Sequence, residues 1–221
     1  MTTINRSDLI IRHFEGLIDY KSSYQNMKTL TESRQESTLD ELWLLQHQDV
    51  LTQGRAGRVE HLIHATTLPI VQSDRGGQVT WHGQGQLIAY LLYDLNRLKW
   101  NVRQLVTHTE NALIELLSLY EIEAYAKKDA PGVYVNDAKI GSLGFKIRQG
   151  RSYHGLALNI NCDLSGFTYI NPCGYSGLRM TRLVDELRIQ HPVKSIPTFE
   201  QVTEQLSKIL TRQHQDRSGT E

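Results

Sequence analysis

A short apolar run near the middle of the chain, residues 87–93 with the sequence LIAYLLY, most constrains what the chain can fold into. The run holds no charged residue, yet it is far shorter than the ~20 apolar residues that a membrane-spanning helix requires. A bounded run of this length is typical of a buried β-strand. The sequence therefore predicts a strand inside a globular core and no membrane anchor.

The segment before this run is rich in glycine. Four glycines (Gly76, Gly77, Gly83 and Gly85) lie between apolar stretches. This pattern is expected of strands joined by tight turns, or of backbone that must approach a ligand closely. It lacks the GK[ST] ending of a phosphate loop and the third glycine of a dinucleotide motif. The Arg75 turn could cradle an anion with backbone amides; the alternative is a turn without a ligand.

The flanking patterns predict both strands and helices. Apolar alternation predicts strands over 9–14, 40–47, 133–135, 139–149 and 152–161, with a hairpin turned at Gly150. Helical spacing predicts helices over 17–36, 102–120, 179–188 and 198–212, followed by a polar, frayed tail over 213–221. We expect an α/β (α+β) fold with a mixed sheet, in a single domain over residues 1–221.

Composition narrows the functional class. Lys plus Arg and Asp plus Glu both number 24, so the net charge is zero and nothing global attracts nucleic acid or anionic lipid. Only two cysteines, Cys162 and Cys173, occur, and no apolar signal segment follows Met1. This usage is typical of free thiols in a reducing compartment, so the expected location is the cytoplasm.

Cys173 is the first candidate for chemistry. Pro172 and Gly174 flank it, which favours an ordered loop that presents a side chain. The alternative is a small buried hydrophobe, and that interpretation is kept for Cys162. An unassisted thiol is only a few per cent thiolate at neutral pH, so a nucleophilic Cys173 needs a base or cation nearby.

Lys139 is the candidate partner. Strand alternation predicts that it shares a face with Leu143, Phe145 and Ile147, where a lysine is unusual. Burial disfavours a charged ammonium, which would suit proton exchange with a thiol; alternatively, the side chain extends to solvent. Elsewhere, His82 and His154 lie beside glycines, where each could bond a substrate or a buried carbonyl.

Five motifs, SDRGGQVTWHGQGQ (73–86), KKDAPGVYV (127–135), KIGSLGFKI (139–147), HGLALNIN (154–161) and INPCGY (170–175), together resemble the octanoyltransferases of lipoate synthesis. The resemblance implies the catalytic-domain fold of biotin and lipoate protein ligases. It implies that Cys173 carries the acyl group and that Lys139 activates the thiol. The acyl-binding residues that it implies are Arg75, Gly76, Gly77, Gln78, Val79, Thr80, Trp81, His82, Ser142, Leu143, Gly144, Gly155, Leu156 and Ala157. Gln84 and Trp81 depart from the usual proline and tyrosine of the family.

The resemblance also implies partners. The donor would be octanoyl acyl carrier protein, and the acceptors would be lysines of the lipoyl domains of 2-oxoacid dehydrogenases and of the glycine cleavage H protein. No cofactor, ATP or metal is implied, and we expect a monomer. Acyl carrier proteins are acidic, so Arg148 and Arg151 on the predicted hairpin, with Lys127 and Lys128, form a hypothetical docking patch; a solvated hairpin tip is the alternative.

Two other functions stay open on the sequence. An ATP-dependent lipoate protein ligase would need a nucleotide site and no nucleophilic cysteine. A non-catalytic acyl-carrier-binding protein would keep the fold without the chemistry.

Overall fold

The computed structural model describes residues 1–5 and 8–216, and in this part the chain forms two β-sheets and five α-helices. The strands are β1 (Thr2–Asn5), β2 (Leu9–Ile18), β3 (Asp40–His47), β4 (Val50–Gln53), β5 (Ile70–Gln72), β6 (Val79–His82), β7 (Gln86–Leu92), β8 (Tyr125–Ala126), β9 (Gly132–Val135), β10 (Ala138–Arg148) and β11 (Arg151–Asn159). The helices are α1 (Tyr20–Ser33), α2 (Leu95–Leu98), α3 (Val102–Ser118), α4 (Leu183–Gln190) and α5 (Phe199–Gln215). Short 3₁₀ turns lie at Val59–His61, Leu164–Tyr169 and Pro172–Gly174.

The larger sheet has eight strands in the order β1-β2-β3-β7-β11-β10-β9-β8. The β2–β3 pair is parallel and the other neighbours are antiparallel, so the predicted mixed sheet is confirmed. β7, which contains most of the apolar run, lies between β3 and β11 and is buried along its whole length. The predicted buried strand is therefore confirmed.

Each face of this sheet is covered by helices. Leu87, Ala89 and Leu91 of β7 pack with α3 and α5 in the largest core cluster. The alternate residues Ile88 and Tyr90 pack on the opposite face, in the cluster that includes Met27 of α1. The second sheet, β5-β4-β6, has its own small core around Leu51, Val79, Trp81 and Phe167. Among the described residues, no helix has the length and apolar character needed to cross a bilayer.

Helix ends differ from the predicted bounds for local reasons. α1 begins at Tyr20, not at residue 17, because the Asp19 carboxylate accepts a hydrogen bond from Ser22 N (2.8 Å) and caps the helix. α4 begins at Leu183 rather than at 179. α5 continues three residues beyond the predicted 212 because His214 is buried and its Nε2 bonds Asp40 (2.8 Å). Residues 217–221 of the predicted frayed tail lie outside the described residues.

Asp40, at the start of β3, is a buried carboxylate that contacts three basic side chains. Its carboxylate lies 2.5 Å from Arg34, 2.5 Å from Arg97 and 2.8 Å from His214. It also accepts the backbone N–H of Asp94 (2.8 Å). One carboxylate thus ties the end of α1, helix α2 and the C-terminal turn of α5 to the sheet.

Candidate active site

Lys139 reaches the site because β10 contains a β-bulge. Lys139 pairs with Tyr134 of β9, but Gly141 pairs with Val133, so Ile140 is an extra residue. The bulge reverses the alternation: Lys139 lies on the same face as Tyr134, whereas Leu143, Phe145 and Ile147 pack with the opposite core. The prediction that Lys139 shares their face is therefore wrong.

The Lys139 side chain is buried and points toward the sulfur atom of Cys173. The residue is 2% exposed, which excludes the alternative in which it extends to solvent. Its Nζ donates to the Pro131 carbonyl (2.8 Å) and lies 3.3 Å from Cys173 Sγ. The Tyr134 ring centroid is 5.5 Å from Nζ. The two residues that sequence alone could not place together are therefore in contact.

Cys173 sits on a tight turn with unusual backbone geometry. Its φ is 55° and its ψ is 18°, in the left-handed region that non-glycine residues rarely adopt. Gly174 N donates to Asn171 O (2.9 Å), and Gly174 also has a positive φ of 78°. Further along the loop, Lys139 N donates to Arg179 O (2.8 Å) and Thr181 N to Lys139 O (3.0 Å). The loop that carries the thiol is thus bonded to the strand that carries the lysine.

The first pocket begins at Cys173 and extends over the sheet. It encloses about 490 Å³ of space, open mouth included, and its lining is mostly apolar. Predicted acyl-binding residues that line it are Arg75, Gly77, Gln78, Val79, Thr80, His82, Ser142, Leu143, Gly144, Gly155, Leu156 and Ala157. Tyr20, Ile88, Tyr90 and His154 also line it. Three segments distant in sequence therefore meet around one apolar cavity.

Two predicted residues lie elsewhere. Gly76 lines a second, neighbouring pocket instead, and its N–H donates to the Phe145 carbonyl (2.9 Å). Trp81 lines neither of these two pockets, because it packs edge-on against Phe167 (5.3 Å between ring centroids) in the core of the small sheet. Its indole N–H donates to Asp49 (3.2 Å). Trp81 is therefore a core residue of the small sheet and not part of the wall of either pocket.

The second pocket opens beside α3 and shares Cys173 with the first. It encloses about 920 Å³ including its open mouth, and Lys139 lies in its wall. The rest of its wall is mostly apolar and includes Val102, Val106, Ala130, Pro131 and Tyr175. Since the thiol lines both cavities, a group bound to sulfur could extend into one while a reactant enters through the other.

Arg75 holds the glycine-rich loop. Its guanidinium donates to Thr52 O (2.6 Å) and Thr52 Oγ1 (2.8 Å), to Gly76 O (2.9 Å) and to Gln78 O (2.7 Å). These acceptors are neutral, and burial lowers the pKa of the guanidinium. The Arg75 side chain therefore uses these N–H groups to hold the glycine-rich loop in place.

Gln78 lies at the junction of the two pockets. Its side chain packs so closely on the Cys173 turn that a Cβ added to Gly174 would lie 2.4 Å from it. Its Oε1 is buried and has no hydrogen-bond partner among the described residues. An acceptor beside the thiol is therefore unused.

The far side of the first pocket is formed by a ring cluster in which sequence reasoning singled out His82 and His154 but missed Tyr20, His47 and Tyr90. The Tyr90 hydroxyl and His47 Nε2 are 2.6 Å apart, and Tyr20 OH donates to Ser73 Oγ (2.9 Å). Burial lowers the pKa of His47 to about 4 and that of His82 well below its ordinary value. The cluster is therefore neutral at pH 7, which suits an apolar ligand.

Asp74 was also missed, although it holds His154. His154 has a φ of 61°, and this turn of the backbone puts its ring beside that of the preceding Tyr153 (4.9 Å). Asp74 bonds His154 Nε2 (2.9 Å) and accepts from the Tyr153 hydroxyl. Burial opposes ionisation of Asp74, but these bonds outweigh it and lower its pKa to about 2. The carboxylate thus fastens the glycine-rich loop to β11.

The charges of the hypothetical docking patch are mostly neutralised. Arg148 pairs with Glu32 (2.5 Å), Arg151 lies 3.8 Å from Asp94, and Lys127 pairs with Asp137 (2.9 Å). The predicted hairpin is present, but its tip lies nine residues along β10 from Lys139, or about 30 Å at the usual rise per residue. Lys127, by contrast, lies over the Tyr134 ring (4.5 Å) that Lys139 also faces, so only the arginines of the patch are remote from Lys139.

Cys162 is a buried thiol, 1% exposed, in the core of the small sheet. Burial raises the pKa of the Cys162 thiol to about 12, so it is inert at neutral pH. Within residues 1–5 and 8–216, no three His, Cys, Asp or Glu side chains are placed to hold a metal ion.

Comparison with known proteins places this site in a family. The model of the lipoyl protein ligase A/B catalytic domain matches residues 19–211. An octanoyltransferase from Acinetobacter baylyi is 57% identical over 205 residues, which cover 93% of this chain and 91% of the relative. The chain belongs to the octanoyltransferase family. The predicted resemblance and the predicted enzyme class, an acyltransferase, are thereby confirmed.

Solved structures confirm the fold expected of an octanoyltransferase. A bipartite lipoate protein ligase from Thermoplasma acidophilum superposes with a TM-score of 0.72 at 13% identity, covering 91% of this chain and 82% of that one. A biotin protein ligase from Aquifex aeolicus gives a TM-score of 0.52 at 13% identity, covering 96% and 71%. At these identities the likeness concerns the fold alone, which is the ligase-type catalytic fold that the sequence predicts.

Proposed function

We propose that this chain moves an octanoyl group from octanoyl acyl carrier protein to a lysine of lipoyl domains, through a thioester on Cys173. The observation that carries the proposal is the 3.3 Å contact between Cys173 Sγ and Lys139 Nζ at the junction of two pockets. Family membership supports the acyl group, because the relative described above is an octanoyltransferase. Two free cysteines fit action in the cytoplasm.

In the first half-reaction the Cys173 thiolate attacks the carbonyl carbon of the carrier thioester. A new C–S bond forms, the bond to the carrier sulfur breaks, and the carrier leaves as a thiol after taking up a proton. A buried ammonium beside the sulfur stabilises the attacking thiolate, and Lys139 can supply the proton of the leaving group. The acyl chain then lies in the first pocket, away from water.

In the second half-reaction the acceptor lysine enters through the second pocket as a free amine. Its nitrogen attacks the Cys173 thioester, a C–N bond forms, and the C–S bond to Cys173 breaks. The proton lost by the amine passes to Lys139, which restores the ammonium–thiolate pair. Because a thioester is converted into an amide, the step needs no nucleotide.

The unused acceptor of Gln78 suits this second step. An incoming amine must be held with its lone pair toward the thioester carbon, so one of its N–H groups needs an acceptor on the opposite side. Gln78 Oε1 is buried beside the Cys173 turn without a partner among the described residues. We assign it the role of orienting the amine.

The test is intact-protein mass spectrometry after incubation with octanoyl acyl carrier protein. Wild type should gain one octanoyl group that hydroxylamine removes, and a lipoyl domain added next should receive it. Cys173→Ala should gain nothing, whereas the control Cys162→Ala should behave as wild type. An adduct that persists in Cys173→Ala, or none on folded wild type, would overturn the proposal.

A further inference from the structure

The floor of the first pocket changes from small side chains on β10 and β11 to large side chains on β7, and we call this change the step. Inside the first pocket, on the face that carries Lys139, β10 and β11 place small residues opposite each other, with Ser142 opposite Ala157 and Gly144 opposite Gly155. The next strand, β7, presents Ile88 opposite Ala157 and Tyr90 opposite Gly155. All six residues line the pocket. The floor is therefore a trough across two strands that ends against two large side chains.

Cys173 lies at the open end of this trough. The second pocket, which shares Cys173, includes several residues of β10 but none of β11 or β7. The thiol is thus on the β10 side of the first pocket, and the trough runs from it across β11 to β7.

The length of the trough corresponds to a particular acyl chain. Adjacent strands are separated by about 4.8 Å, so β10 and β7 are roughly 10 Å apart. With carbon–carbon bonds of about 1.5 Å, an extended eight-carbon acyl group is roughly 9 Å long. A chain bound to sulfur would fill the trough at eight carbons and meet the step if it were longer.

The step is firmly held. Ile88 is 1% exposed and Tyr90 is 4% exposed. Tyr90 OH and His47 Nε2 are 2.6 Å apart, and His47 Nδ1 lies 2.9 Å from the Ile18 carbonyl, so the ring is fastened to β2 through β3. The stacked Tyr20 and His82 rings (5.9 Å) both lie against the His47 ring that holds Tyr90. A longer chain cannot easily push the wall aside.

We infer that Ile88 and Tyr90 are the residues that limit acyl-chain length, by forming the end wall of the trough. The inference rests on the proposed function in one respect, that the acyl group is bound to Cys173.

The test changes the trough in both directions. Ile88→Ala removes part of the wall and should move the preferred substrate from eight to about ten carbons. Ala157→Val raises the floor and should favour six. A methylene that loses or gains burial changes the rate by roughly fourfold, so a two-carbon shift should change the ratio of C10 to C8 rates by about 16-fold. The measurement is the initial rate of acyl-enzyme formation, by intact mass, with C6 to C12 thioesters.

Two control variants distinguish a change in the end wall of the trough from a general loss of protein stability. Leu87→Ala removes a similar volume from the opposite face of β7 and should leave the length profile unchanged. Tyr90→Phe removes the bond to His47 but keeps the ring and its packing against the His47 and His154 rings, so it should also keep the profile. Profiles of Ile88→Ala and Ala157→Val that match wild type would overturn the inference.

A second measurement keeps the inference independent of the chemistry. Binding of free C6 to C12 fatty acids to Cys173→Ala, alone and combined with Ile88→Ala, needs no thioester. If wild type formed no acyl-enzyme, the proposed function would fail while this series still tested the wall. If Cys173→Ala and the double variant Cys173→Ala/Ile88→Ala bound the same fatty-acid length best, Ile88 would not limit chain length and the inference would be wrong.

Discussion

Replacing Asp40 with asparagine should destabilise the fold more than any exposed charge change. Asp40 is 0% exposed and Arg34 beside it is 1% exposed on its side chain. The substitution removes the negative charge but keeps the shape and one acceptor oxygen. Arg34, Arg97 and His214 would then share a neutral amide, and the buried guanidinium of Arg34 would lose its counter-charge.

The expected magnitude follows from that geometry. Removing one partner of a buried ion pair costs about 3–5 kcal/mol. The remaining oxygen can still accept the Asp94 N–H, which places Asp40→Asn near the lower end, at about 3 kcal/mol. For a chain of this length that loss corresponds to a fall in Tm of roughly 6–12 °C.

Urea unfolding followed by far-UV circular dichroism measures the effect. The midpoint of Asp40→Asn should fall while the slope stays as in wild type. As a surface control, Glu204→Gln breaks the exposed pair with Lys208 (2.6 Å) and should leave the midpoint unchanged. A loss below 1 kcal/mol for Asp40→Asn would refute the reasoning.

The Asp40 cluster also predicts how the free energy of unfolding depends on pH. Burial opposes ionisation of Asp40, but its bonds to His214, Asp94 and Arg34 lower its pKa overall. A carboxyl group whose pKa is lower in the folded state stabilises the fold above its unfolded pKa, and that stabilisation is lost as pH falls through the folded value. The difference in unfolding free energy between wild type and Asp40→Asn should therefore shrink below about pH 4.

Three further outcomes are expected at the site. Iodoacetamide should modify one thiol in native wild type and in Cys162→Ala but none in Cys173→Ala, counted by mass; modification of Cys162 in the folded protein would contradict its burial. Lys139→Met should slow acyl-enzyme formation at least 100-fold in single-turnover assays, and Lys139→Arg should not restore it, because the larger guanidinium does not fit a position that is 2% exposed. Gln78→Met should leave acyl-enzyme formation near wild type but slow transfer to the lipoyl domain 10- to 100-fold in the same assays; equal slowing of both steps would argue against amine orientation.

Much of the fold was predictable because β7 and its neighbours follow simple periodicities. The 40–47 strand coincides with β3, and the hairpin turns at Gly150 as predicted. Helix ends were less accurate, since they depend on contacts such as His214 with Asp40 that join residues 174 positions apart. Such contacts leave no local pattern.

Site residues that lie in a sequence motif could be predicted. The direction of a side chain could not be predicted where the backbone geometry determines it. Alternation assigned Lys139 to the wrong face, because nothing in the sequence marks Ile140 as the extra residue of a bulge. Asp74 and Tyr90 were missed because their roles depend on side chains from other strands. The one available signal for Asp74 was its position next to Arg75, in the segment already singled out.

The two backbone hydrogen bonds between Lys139 and the loop after Cys173 have a mechanical consequence. With the bridge between Lys139 and Met180, they attach the chain to β10 six to eight residues beyond the thiol. The segment that follows Cys173 is therefore anchored on the residue that supplies the amine. A displacement of this segment would act on both reactive groups and not on the thiol alone.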